Sequence, residues 1–139
     1  MLIENKYYEE NKMIYNDLIR QILLVATGSI FSAFFLWALI KPQSLASTLG
    51  YELKTKNAFN EFHAIYVGLF IAQTLLCALA FVRIQDAIIG DLVAVFLLCQ
   101  PLGRLIAAVR KGFPSGFMLI LFAMELVGGV ILLAVQPNS

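Results

Sequence analysis

An all-α integral membrane protein, folded as an antiparallel bundle of four transmembrane helices, is the architecture this sequence predicts, and two observations predict it. The chain is 60% hydrophobic and only 14% charged over 139 residues, with a mean hydropathy of +0.83. A soluble domain carries about 25% charged residues, so the polar side chains here are too few to coat a water-facing surface. The apolar residues also fall into four long runs separated by short polar segments. Length favours one domain. A net charge of +1 gives no clustered basic face for a nucleic acid. Cys77 and Cys99 lie in successive apolar runs that cross in opposite directions, so their thiols sit at different depths and are not expected to pair.

Residues 1–21 form a polar N-terminal segment in which Ile3, Tyr7, Asn11, Ile14 and Leu18 recur at helical spacing. That pattern fits an amphipathic helix on the membrane surface or a frayed tail. The transmembrane domain spans 22–136. Its first helix, Ile22 to Ile40, has nineteen residues without a charge, about 28 Å at helical rise, which matches the hydrocarbon thickness. It is too long for the apolar core of a signal peptide, and no small-residue cleavage site follows it. Trp37 fits the interfacial aromatic belt. Lys41-Pro42 closes the helix, and Ser44 to Leu49 followed by Gly50 reads as a short interfacial helix with a glycine C-cap. The second helix is expected at 59–82, the third at 87–109 and the fourth at 113–135. The tight Arg83–Asp86 turn makes helices two and three antiparallel neighbours. Pro101 removes a donor from the third helix, which should kink there. Gly28-x-x-x-Ser32, Gly68-x-x-x-Ala72 and Gly112-x-x-x-Gly116 have the small-residue spacing that permits close helix contact.

Four crossings put both termini on one side, the terminal face; the long first loop and the Arg110-Lys111 turn lie on the opposite, loop face. Lys6, Lys12, Arg20 and Arg83 fall to the former, and Lys41, Lys54, Lys56, Arg110 and Lys111 to the latter. This bias does not choose an orientation.

Charges at membrane depth mark function or a buried pair. Glu61 and Arg104 both lie just inside the loop face, and Glu125 lies about 18 Å below the Phe113 end, near the midplane. Arg104 can lean toward either carboxylate. Burial disfavours the charged form, so Glu125 is expected to be a neutral hydrogen-bond donor unless Arg104 reaches it. Asp91 reads as an interfacial charge. His63 is the single histidine. It stands about 200° from Glu61 around the helix, so the two cannot share a metal. Neither a metal centre nor a cofactor is expected.

The segments Lys41-Pro42, Leu49-Gly50 and Asn60-Glu61-Phe62-His63-Ala64-Ile65-Tyr66-Val67-Gly68-Leu69, with Gly103-Arg104 and Glu125, resemble an uncharacterised family of small bacterial four-helix membrane proteins. That family is loosely grouped with the DoxX-like proteins. The resemblance implies a multi-pass protein of the bacterial inner membrane, with Asn60, Glu61, Tyr66, Arg104 and Glu125 as shared features. The family pattern has Arg at the position of His63 and Gly at that of Val67. The resemblance supplies no activity.

The expected site is a polar cluster of Asn60, Glu61, His63, Tyr66, Arg104 and Glu125, enclosed by apolar walls and open toward the loop face. Such a cluster suits an accessory or binding subunit that docks on a membrane protein partner, or on its own copy, or holds a lipid- or quinone-like ligand. Two alternatives stand beside it. One is an enzyme moving a proton on a lipophilic substrate. The other is a small transporter or channel subunit using Glu125.

Overall fold

The computed structural model describes residues 13–138. Within them the chain runs β1 (Ile14–Tyr15), α1 (Asp17–Ile40), α2 (Pro42–Thr48), α3 (Lys56–Val82), α4 (Ala87–Lys111), α5 (Phe117–Ala134) and β2 (Val135–Gln136). The helical repeat read through Ile3, Tyr7 and Asn11 lies outside the described residues. Helices α1, α3, α4 and α5 are each long and apolar enough to cross a membrane, and only 17–22% of their apolar windows is buried within the protein. The apolar surface therefore faces outward, where lipid chains cover it. The fold is a membrane-spanning four-helix bundle.

Local chemistry sets the helix ends. α1 begins at Asp17 rather than Ile22, because Asn16 caps it by accepting from the Ile19 N–H at 3.0 Å and Asp17 suits the positive end of the helix dipole. α3 starts at Lys56 because the Thr55 hydroxyl accepts from the Ala58 N–H at 3.0 Å. α5 starts at Phe117, four residues later than the hydropathy suggests. Gly112 and Gly116 both hold positive φ, at 88° and 60°, so Gly112-Phe113-Pro114-Ser115-Gly116 is a turn and its glycine spacing belongs to no helix contact. The interfacial helix α2 has Pro42 in its first turn. It ends at Gly50 (φ 85°), where Tyr51 N–H donates to Ala46 C=O and Gly50 N–H to Ser47 C=O. That is a Schellman closure. The Trp37 indole donates to Ser44 Oγ at 3.2 Å, fixing α2 against the end of α1.

The helices pack most closely as two antiparallel pairs, α1 with α3 and α4 with α5, and the short turn at Arg83–Asp86 joins the pairs. A glycine on each pair allows the close approach. A Cβ on Gly28 would stand 3.1 Å from that of Cys77, and one on Gly129 would stand 2.6 Å from Leu98 Cγ. Gly68 has no such neighbour on another helix. One apolar cluster, with Leu24, Phe31, Val93, Leu97 and Leu132, fills the half nearer the termini. A second, with Ala38, Leu45, Phe62 and Leu121, lies under α2 at the loop face. At the terminal face β1 and β2 pair in parallel, Ile14 with Val135 and Tyr15 with Gln136.

Candidate functional site

Between the helix pairs lies a cavity of about 640 Å³ with walls from all four spanning helices. Most of the wall is apolar. α1 contributes Phe31 and Phe34, α3 contributes Tyr66 and Phe70, and the rings form a continuous series. Phe70 meets Phe31 at 5.1 Å between centroids, Phe34 at 6.0 Å and Tyr66 at 5.3 Å, and Tyr66 meets Tyr51 at 6.3 Å. Edge-on contacts of this kind are favourable for the ring quadrupole. Residues Ala64–Leu69 of α3 form a π-helical turn, and Ile65, Tyr66 and Leu69 from that turn line the cavity. π-turns concentrate at functional sites.

The opposite wall carries the charge. The antiparallel register of α4 and α5 sets Gly129 against Ala94 and Leu98. One helical turn further toward the loop face, the same register brings Arg104 to Glu125. The Arg104 guanidinium donates through Nη1 to Glu125 Oε2, and both side chains are largely buried. Arg104 therefore pairs with Glu125, not with Glu61. The neutral donor expected of an isolated Glu125 does not apply. Two polar atoms here are buried without a hydrogen-bond partner, Arg104 Nε and Gln73 Oε1. Gln73 is 5% exposed and also lines the cavity.

Of the residues singled out from the sequence, Tyr66, Arg104 and Glu125 line the cavity, and Asn60, Glu61 and His63 do not. The reason lies in helix phase. Phe62 is the residue of that stretch that turns inward, so Asn60 and Glu61 are exposed on the other side of α3. The His63 ring packs on Phe59 at 4.1 Å, and its Nδ1 lies 2.9 Å from the Phe59 carbonyl. Gln73 and Gln100 were legible as polar residues inside apolar runs, but no sequence spacing ties either to Arg104. Among the described residues no three His, Cys, Asp or Glu side chains gather as metal ligands.

The cavity reaches the bundle surface sideways. Its lining includes exposed residues along the seam of α3 and α4, with Leu69 at 56% and Phe96 at 46%. It also includes Ile30 and Met124 along the seam of α1 and α5. In a bilayer both seams face acyl chains. The terminal-face end is closed by a second polar cluster, built on Arg20, that sequence reasoning assigned to the polar tail. Arg20 is 1% exposed. Its Nη1 donates to the carbonyls of Leu132 (3.0 Å) and Val135 (2.7 Å), and its Nη2 to the Ala87 carbonyl (2.8 Å) and Asp91 Oδ1 (3.0 Å). Asp91 also accepts from Gln136 at 3.0 Å, so this interfacial charge is at the same time a pairing residue. The available signal was two opposite charges, Arg20 and Asp91, at one end of neighbouring spans.

Residues 19–136 match a family model described as a domain of unknown function, DUF4345. No curated protein and no solved structure matches the chain.

Proposed function

We propose that this chain, which belongs to the DUF4345 family of unknown function, is a binding protein that holds a lipid- or quinone-like molecule between its transmembrane helices. The observation that carries the reading is the cavity itself. At about 640 Å³ it falls within the range of about 300–1,000 Å³ typical of small-molecule sites. It combines apolar walls with a few convergent polar groups, Tyr66, Gln73, Arg104 and Glu125, and its lateral seams admit a ligand dissolved in the bilayer. Glu125 is engaged by Arg104, which favours binding over acid–base or ion-carrying work. Docking on a larger membrane protein, or on a second copy, is the companion proposal and rests on the small size of the bundle. Placement beside the DoxX-like proteins, in a bacterial inner membrane, rests on the motif resemblance alone.

Native mass spectrometry of protein extracted in mild detergent tests the reading. The expected result is a lipophilic molecule bound one to one. The bound species should be lost in Gly103→Trp, because Gly103 lines the cavity and a Cβ there would meet nothing within 4 Å, so the larger side chain starts from open space. A wild-type protein that carries no lipophile and takes up none from a lipid extract would remove the basis of the proposal. A partner chain or a second copy in the same spectra would support docking.

A further inference from the structure

The ligand's head has a chemistry that the cavity specifies. Resting on the binding role proposed above, we infer that this site selects an uncharged, hydroxyl- or carbonyl-bearing amphiphile and discriminates against lipids with an anionic head. A lone buried arginine facing an apolar cavity would draw a carboxylate or phosphate. Here Glu125 already occupies that guanidinium. The ionisable side chains in the wall besides the pair are two tyrosines, Tyr51 and Tyr66, and the Cys99 thiol. The wall is therefore charge-balanced before any ligand arrives. An anionic head would have to displace Glu125 or lie beside it, and in a low dielectric like charges repel strongly. A cationic head would face the same difficulty with Arg104.

What the wall leaves unfilled is neutral hydrogen bonding. Gln73, nineteen-twentieths buried, has its Oε1 unpaired, and Arg104 has its Nε unpaired. A buried polar atom without a partner is unfavourable by about 1–3 kcal/mol, so a small shift of either side chain toward a bound head would be repaid. The pair of groups offers one acceptor and one donor. A carbonyl or hydroxyl oxygen can accept from Arg104 Nε, and a hydroxyl can donate to Gln73 Oε1. The aromatic rings of Phe31, Phe34, Tyr66 and Phe70 stand across the cavity from the charged pair, so the apolar body of the ligand lies on them. The cavity volume suits one chain or a compact ring better than a two-chain phospholipid.

The test compares three single-chain probes with the same tail, monooleoylglycerol, oleate and oleoyl-lysophosphatidate, titrated into delipidated protein in mild detergent at pH 8. The readouts are native mass spectrometry and thermal unfolding. Wild type should bind monooleoylglycerol at least about tenfold more tightly than either anion. Glu125→Gln frees the guanidinium, and the preference should swing toward oleate by about tenfold or more. Arg104→Gln/Glu125→Gln, which restores charge balance if the single variant folds poorly, should show no swing. Wild type that prefers oleate or the lysophosphatidate, or a Glu125→Gln variant that folds yet keeps its ranking, overturns the inference while leaving a lipophile-binding role intact. No binding of any of the three, together with no co-purified lipophile, sinks the underlying reading instead.

Discussion

Four hydrogen bonds at the terminal face come from a single guanidinium. Arg20 joins the start of α1 to the start of α4 and the end of α5, and two of its acceptors are the Leu132 carbonyl in the last turn of α5 and the Val135 carbonyl just beyond it, which have no helical N–H to receive. A positive charge at a helix C-terminus is also favoured by the dipole. Replacing Arg20 by Met leaves these carbonyls and Asp91 without their donor. Thermal unfolding in detergent should register a loss of about 3 kcal/mol or more. Arg20→Lys should recover only part of it, since an ammonium cannot hold two pairs of acceptors in the planar fork that Arg supplies. Gly90 belongs to the same arrangement. A Cβ there would stand 2.9 Å from Arg20 Cζ, and the guanidinium is fixed on four sides. Gly90→Ala should therefore destabilise by about 1–3 kcal/mol, the usual result of overpacking, although alanine is otherwise the better helix former. Arg104 and Glu125 were legible in the sequence because each is a lone charge inside an apolar run. Arg20 was not, because a charge at the edge of a run looks the same whether it turns to water or inward.

At the level of elements, hydropathy located the four spans and misplaced three of their beginnings, at α1, α3 and α5. Window averages see side-chain polarity, whereas a helix starts where a capping side chain satisfies its free N–H groups. Asn16 and Thr55 do this outside the apolar runs, and the glycine-rich 112–116 turn delays α5 despite its apolar Phe113. Glycine spacing was an equally partial guide. Gly28 does pack against α3, yet the tightest contact between α4 and α5 is at Gly129, beside Gly128 and outside any of the spacings noted. Gly129→Val should push α4 from α5, destabilise the protein by about 1–3 kcal/mol and disturb the Arg104–Glu125 pair one turn away. Gly103→Ala, with open space around it, should leave the unfolding temperature unchanged or slightly higher. Equal effects of the two substitutions would show that the α4–α5 seam is not set by Gly129.

For the whole molecule, the lateral openings make a prediction about access. Cys99 lines the cavity and is exposed at its α4 wall, while Cys77 is buried between α1 and α3. In proteoliposomes a membrane-soluble maleimide should label Cys99 and spare Cys77, so Cys99→Ser abolishes labelling and Cys77→Ser does not. Excess ligand should slow the reaction. The Arg20 cluster that closes the other end carries a consequence for biosynthesis. Its carbonyl partners lie 112 and 115 residues further along the chain. The first span therefore enters the bilayer with an arginine whose acceptors have not been made. At about 5–20 residues per second, the delay is on the order of ten seconds. Through that interval the side chain must be held at the headgroups or shielded by the insertion machinery, and the first helix cannot settle to its final depth until the fifth is in place.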